Sequence, residues 1–359
     1  MDELDPDRTR VAIVDPLVGT VLDRRYHIEF RLAAGGFGAI YRATHVINRR
    51  AVALKVLHAS LASERDVVAR FRREAQALGA LRDPHTIKAY DFGETADGTL
   101  YIVMELLQGE SLFERFRALG PLPWRRMAGI VRQVCSSLAE AHALGIVHRD
   151  LKPTNIHLEE VGGDADYVKV LDFGIAKILH GSALDDVDIT RSGQMIGTFD
   201  YMAPEQMFGG AVTTRSDLYT LGVVLFEMIS GERPFGDPHS AAAMLQAIVT
   251  RTPPPLSTVS DAPVELDAIV ARCLEREAAR RYASAEELSD ALSRALEVDD
   301  VTKTQLTLPN MEAGFTPVAG GDDDTGTWID RAPEAIDANA TLPGVAPPAH
   351  GTPWPLRKR

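Results

Sequence analysis

The stretch "GIVHRDLKPTNIHL" packs His148, Arg149, Asp150, Lys152 and Asn155 into eight positions. Further on, "KVLDFGIAK" sets Asp172 at the end of an apolar strand, followed by Phe173 and Gly174. Phosphoryl transfer needs groups of these kinds. A carboxylate must orient a hydroxyl, oxygen ligands must hold magnesium, and cations must neutralise phosphate charge. Either short motif alone would mean little. Their joint order, after a strand lysine, a helix glutamate and a glycine loop and before "APE" at Ala203–Glu205, makes a specific signal.

The elements that must position these groups can be read from periodicity. "YHIEFRLA", "AIYRATHV" and "AVALKVLH" are strand-like and separated by turn residues, which predicts an antiparallel meander. "IKAYDFGE" and "TLYIVMEL" add two strands around "TADG". Residues 64–81 read as a helix with Val67, Phe71, Ala75 and Leu78 along one side. Lys55 lies in a strand otherwise fit for burial, and Glu74 shares the apolar face of the helix. Two buried charges are tolerable if they meet; two surface residues with only their stems buried would look the same. After Gly109 the chain turns helical: residues 124–144 are amphipathic, and "DLYTLGVVLFEMIS" is apolar on all sides, as a helix inside a domain would be. "NIHLEE" and "YVKVLDFG" suggest a short hairpin between them. Helices are expected around 241–250 and 264–274, and Ser284 with Glu287 forms a capping box for a last helix. Strands with one helix followed by mostly helices describe an α+β, two-lobed fold.

The glycine loop is "RLAAGGFGAIY", with Gly35, Gly36 and Gly38 but Ala33 where a G-x-G-x-x-G pattern has its first glycine. The alanine is nearly free if its φ is negative and costs about 1 kcal/mol if φ must be positive. No G-K-[ST] follows, so a P-loop NTPase is excluded. The net charge of −13 over 359 residues argues against a nucleic-acid binder. No apolar run reaches membrane-spanning length, and the acidic start is not a signal peptide. Cys135 and Cys273 sit in apolar helical patterns and read as buried, reduced thiols, which points to a cytoplasmic protein.

With these motifs in hand, the chain resembles the eukaryotic-like bacterial serine/threonine protein kinases over about residues 26–296. The resemblance implies a bilobal fold within residues 23–297, with an N-lobe of antiparallel sheet and one helix (about 23–107) and a mainly α-helical C-lobe (about 108–297). It implies an enzyme that transfers the γ-phosphoryl group of ATP to protein Ser/Thr hydroxyls, with Mg2+ as cofactor and Mn2+ as a substitute. Gly35, Gly36, Phe37 and Gly38 would cover the phosphates, with Ala33 at the loop's edge. Lys55 would contact the α- and β-phosphates and pair with Glu74. Met104 would stand at the back of the adenine pocket, and the backbone of Glu105 and Leu107 would hydrogen-bond the base. Ile40 and Ala53 would roof the ring. His157 holds a floor position that is usually aliphatic; it would either stack on adenine or turn to solvent and leave Leu158 to fill the gap. Asp150 would be the catalytic base, Lys152 would steady the γ-phosphate, and Asn155 and Asp172 would hold the metal. Glu205 would pair with Arg281, Asp217 would anchor the catalytic loop, and His148 would stack with Phe173. Ile175 after "DFG" goes with threonine preference in this family. A pseudokinase scaffold is the competing reading, disfavoured because Lys55, Asp150, Asn155 and Asp172 are all kept.

Residues 175–197 would be the activation segment, with Thr190 and Ser192 eight and six residues before Thr198. Phosphorylation of Thr190, Ser192 or both is expected to order it, Arg149 receiving the phosphate. Residues 1–22 read as a loose arm and 298–359 as a disordered Pro/Gly/Thr/Asp-rich tail. "TWID" at 327–330 has a form that phosphothreonine-binding forkhead-associated domains favour, so such a partner is one expectation and a plain solvating linker the other.

Overall fold

The structure, a computed structural model, describes residues 15–35, 38–57, 75, 78–173, 199–238 and 240–307, all within one compact unit. The first lobe is a six-stranded antiparallel sheet: β1 (Val21–Leu22), β2 (Tyr26–Gly35), β3 (Gly38–His45), β4 (Ala51–Leu57), β5 (Ala89–Glu94) and β6 (Leu100–Met104), ordered β1-β2-β3-β4-β6-β5. β4 is central and explains its own sequence. Val52, Leu54 and Val56 join Tyr26, Ile28, Tyr41, Tyr101 and Val103 on one face. Ala53 and Leu57 join Leu100, Ile102 and Met104 on the other. A strand buried on both faces reads as a continuous apolar run, which is what "AVALKVL" is. Lys55 belongs by alternation to the second face, between Ala53 and Leu57.

The arm expected at residues 1–22 is structured from Asp15 onward. The Asp15 carboxylate accepts from the Leu17 N–H (3.1 Å), from the Tyr41 hydroxyl (3.1 Å) and from Arg31 (3.2 Å), and β1 pairs with β2. These anchors are tertiary, so no local pattern announces them. The helix expected at 64–81 falls largely outside the described residues; Ala75 and Leu78 within it are helical.

β7 (Glu110–Ser111) leads into α1 (Leu112–Leu119), then α2 (Trp124–Ala143), the hairpin β8 (Ile156–Val161) and β9 (Asp164–Val170), α3 (Pro204–Met207), α4 (Thr214–Ser230), α5 (Ala241–Thr250), α6 (Val264–Cys273) and α7 (Ala285–Thr307). Every residue from Ser216 to Ile229 of α4 is buried, so the all-apolar helix is the axis of this lobe. Each fully buried large apolar side chain there contributes roughly 1.5–3 kcal/mol. α2, α6 and the 3-10 turn Phe199–Tyr201 pack around α4. Cys135 and Cys273 are free and buried, and burial pushes the Cys273 thiol up to about 12.

Two helix ends differ from expectation. α1 is not among the helices expected from periodicity, although "SLFE" spells its cap: Ser111 Oγ accepts the Glu114 N–H at 3.2 Å while Glu114 reaches back to the Ser111 N–H at 2.8 Å. At α7, Ser284 Oγ accepts the Glu287 N–H at 3.3 Å, but the Glu287 carboxylate takes the N–H of Ala283 rather than that of Ser284. α7 also runs on to Thr307, nine residues beyond the Val298 boundary read from composition. Residues 309–359 lie outside the described residues, as does the Thr327–Asp330 motif.

Candidate active site

The carboxyl end of the β8–β9 hairpin, the loop before β8 and the second face of β4 converge. Lys55 Nζ lies 2.6 Å from Asp172 Oδ1, with the lysine side chain 11% exposed. Lys55 is thus buried on the inner face and meets a carboxylate; Glu74, its expected partner, lies outside the described residues.

Asp150 is held from two sides. Lys152 Nζ donates to both its carboxylate oxygens, at 3.0 and 2.9 Å. Asn155 Nδ2 donates to the Asp150 carbonyl at 2.7 Å and to its Oδ2 at 3.2 Å. The turn Pro153–Asn155 places that amide, and the Asn155 carbonyl accepts the Leu171 N–H at 2.9 Å, tying the loop to the residue before Asp172.

The backbone at the site is strained where it serves. Arg149 (φ 68°) and Asp172 (φ 55°) are non-glycine residues in the left-handed region, at about 1–3 kcal/mol each. Buried Asp217 of α4 stabilises the first: its carboxylate accepts the His148 N–H at 2.8 Å and the Arg149 N–H at 2.9 Å. His142 Nε2, on α2, is 2.7 Å from the same carboxylate, a partner that sequence reasoning missed. Gln206 is a second missed residue; its Nε2 donates to the Arg149 carbonyl at 2.8 Å. His148 Nε2 meets the Leu171 carbonyl at 2.8 Å, and its ring lies 4.7 Å from that of Phe173.

Glu205 and Arg281 form a two-pronged pair, Nη1–Oε1 2.7 Å and Nη2–Oε2 2.9 Å, with the guanidinium fully buried. Burial alone would raise the Glu205 pKa, but the bonds from Arg281 and from Ser216 Oγ (2.6 Å) outweigh it and hold the carboxyl below its ordinary value.

Toward the other end of the cleft, Ile40, Ala53, Met104 and Leu106 share one apolar cluster, and Ala53 pairs with Met104 across β4 and β6. The Glu105 N–H bonds the Lys88 carbonyl and its carboxylate takes Lys169 Nζ at 2.9 Å. Among the described residues the Glu105 carbonyl accepts no backbone hydrogen bond and the Leu107 N–H donates none, so both could serve a ligand edge. His157 pairs with Ser111 across β7 and β8, and its Nε2 is 2.8 Å from the Gln108 carbonyl, while Leu158 beside it is buried. Gly109, which starts this crossing, has φ 99° and would drive a Cβ to 2.1 Å from the Leu158 carbonyl.

In the glycine loop, Ala33 lies in β2 opposite Ile40, and its φ is not positive. The replacement is therefore the inexpensive case. Gly38 is different: at φ 156° an added Cβ would stand 2.0 Å from the Val56 carbonyl oxygen. Gly35 has open space around its would-be Cβ. Gly36, Phe37, Ile175, Thr190, Ser192 and Thr198 lie outside the described residues.

The donor set fits a small divalent cation. Asn155 spends its Nδ2 on Asp150, which leaves Oδ1 as an acceptor, and Asp172 has one oxygen on Lys55 and one remaining. Among the described residues no cluster of three or more His, Cys, Asp or Glu makes a metal cage. A cation here would complete its shell with phosphate oxygens and water, as magnesium commonly does.

Residues 26–292 match the family model described as protein kinase domain. The serine/threonine-protein kinase pkn3 of Myxococcus xanthus is 36% identical over 337 residues, covering 93% of this chain and 60% of that protein. PrkC of Bacillus subtilis is 34% identical, with 82% of this chain and 44% of that protein covered. PknL of Mycobacterium bovis is 34% identical over 82% of this chain and 70% of its own length. The chain thus spans less than two thirds of the first two relatives. Among solved structures, the kinase domain of PknI from Mycobacterium tuberculosis superimposes with a TM-score of 0.60 at 28% identity, over 77% of this chain and 98% of that one.

Proposed function

The chain belongs to the bacterial serine/threonine protein kinase family, and we propose that it is an active member, transferring the γ-phosphoryl group of ATP to Ser and Thr hydroxyls of proteins, with threonine preferred. The observation that carries this is the convergence of Asp150, Lys152 and Asn155 on one side with Asp172 and Lys55 on the other. The family uses ATP and a divalent metal; Mg2+, with Mn2+ as a substitute, fits the two oxygen donors of Asn155 and Asp172.

Each residue takes a role that its contacts support. Asp150 orients the acceptor hydroxyl and takes its proton as the oxygen bonds to the γ-phosphorus and the bond to the ADP oxygen breaks. Lys152 stands at that carboxylate, where it can follow the γ-phosphate. Lys55 has donors beyond the one on Asp172 for the α- and β-phosphates. A bound Mg2+ would neutralise charge developing on the phosphate oxygens. Adenine would lie under Ile40 and Ala53, against Met104, with its edge toward the Glu105 carbonyl and the Leu107 N–H. His157, tied to Gln108, borders the floor that buried Leu158 completes.

Activation follows from phosphorylation of Thr190, Ser192 or both. Arg149 Nε is buried and has no hydrogen-bond partner among the described residues, which supports it as the receiving cation. The chain works in the cytoplasm, consistent with two buried free thiols and with the lack, among the described residues, of a helix long and apolar enough to cross a membrane. Its catalytic unit is residues 23–297, and the phosphorylated tail at Thr327 would serve a forkhead-associated partner.

The test is phosphosite mapping by mass spectrometry after incubation with Mg-ATP and a threonine-bearing acceptor protein. Phosphate is expected on the acceptor and at Thr190 or Ser192. Full activity of an unmodified chain would remove the activation proposal, and no transfer to any protein would remove the kinase reading.

A further inference from the structure

Residues 199–203 lead directly from the activation segment into α3. They lie one side chain from the catalytic loop: Gln206 accepts the Ala203 N–H at 2.9 Å and donates to the Arg149 carbonyl beside Asp150 at 2.8 Å. Through Gln206 this segment sits beside the residue that precedes Asp150, so a polypeptide presenting its hydroxyl to Asp150 would have it as a neighbour. What holds the segment is therefore part of how such a substrate is seated.

Its two polar side chains run to one place. Asp200 Oδ2 lies 2.8 Å from Arg233 Nη1. The Tyr201 hydroxyl donates to Glu227 Oε2 at 2.5 Å, and Glu227 Oε1 lies 3.1 Å from Arg233 Nε. The guanidinium carbon is 5.9 Å from the centre of the Tyr201 ring, and Nη1 also reaches exposed Asp237 at 3.1 Å. Thr220 Oγ1, on α4, donates to the Tyr201 carbonyl at 2.9 Å. The Asp200 and Glu227 side chains are each 11% exposed, so their charge is poorly hydrated. Burial raises the Asp200 pKa, and Arg233 opposes that rise. Without Arg233, two shielded carboxylates would face each other with no cation between them, and the segment that carries Asp200 is the part that can move away.

We propose that Arg233 is a positioning residue for the protein substrate: it bridges Asp200 and Glu227 and so clamps residues 199–203 against α4, beside the catalytic loop. Nothing in the transfer chemistry calls on Arg233, and ATP is bound by other elements. The proposal rests on the kinase reading above. A planar fork can serve two carboxylates at fixed angles where an ammonium group cannot.

The full-length chain is compared as wild type, Arg233→Lys, Arg233→Ala and the double variant Arg233→Ala with Asp200→Asn. KM for a protein acceptor, KM for ATP and deuterium uptake over residues 199–203 are measured. Arg233→Ala should raise the protein KM on the order of tenfold and leave the ATP KM within about twofold. Arg233→Lys should fall between, and Asp200→Asn should recover part of the loss by removing the uncompensated charge. Uptake over 199–203 should rise in Arg233→Ala and fall back in the double variant. If Arg233→Ala does not fold, Arg233→Lys carries the same contrast against wild type. An unchanged protein KM, a parallel rise of both KM values, or a double variant no better than Arg233→Ala overturns the proposal. Deuterium uptake needs no turnover, so it tests the clamp even if wild type transfers no phosphate, and the two failures stay separate.

Discussion

Lys55 and Asp172, 117 positions apart in the chain, meet at 2.6 Å where the sheet lobe faces the helical lobe. β4 delivers the lysine on its inner face between Ala53 and Leu57, and β9 delivers the aspartate one residue past Leu171. A cation and a carboxylate held together in this way can each turn to a ligand that brings phosphate and metal.

Replacing Lys55 by Met should therefore abolish function more than fold. Asp172 is 31% exposed and can rehydrate when its partner goes. Phosphoryl transfer should drop on the order of 10²–10³-fold, as for loss of one charge-stabilising donor. Steady-state kinetics alongside thermal unfolding checks this; a large fall in melting temperature with little change in rate would contradict the assignment.

Glu205 and Arg281 predict an acid limb of stability. The Glu205 pKa is lowered in the folded state, so its contribution is fully present above the ordinary glutamate value of 4.5 and is lost as pH falls through the folded value. Glu205→Gln should lower stability at pH 7 by about 3–5 kcal/mol, because Arg281 stays buried without its counter-charge. It should also flatten the decline of stability below pH 4.5. Denaturant unfolding of both proteins from pH 3 to 7 reads the two effects; parallel curves would refute the linkage.

The glycine loop separates a costly position from a lenient one. Gly38→Ala should displace β3 from β4, since the new Cβ would overlap the Val56 carbonyl, and the KM for ATP should rise on the order of tenfold or more. Ala33→Gly should shift that KM by less than about twofold, because Ala33 already occupies strand backbone with no positive φ. A large gain of activity in Ala33→Gly would show that the native loop is impaired.

Much of this architecture was legible because it is written in local pattern. The two-sided burial of β4, the all-apolar α4 and the Ser284 half of the α7 cap each leave a periodic or positional signature. The motif order in the sequence groups Asp150, Lys152, Asn155 and Asp172 as one candidate site. What was not legible is tertiary. Nothing near His142 or Gln206 says that one will meet Asp217 and the other the Arg149 carbonyl. Asp15 orders its segment through Arg31 and Tyr41, both remote in sequence. α7 outruns its compositional boundary because Val298–Thr307 has polar helix-compatible residues that look like the start of a tail. α1 is the exception: its capping box is local, with Ser111 and Glu114 three residues apart in the sequence.

Asp150 is the group proposed to orient and deprotonate the acceptor hydroxyl. Asp150→Asn keeps the size of the side chain and removes the charge that Lys152 and Asn155 hold in place. Labelled γ-phosphate transfer from Mg-ATP to a protein threonine should fall on the order of 10²–10⁴-fold, with the fold intact. Wild-type transfer by the Asp150→Asn protein would contradict the account.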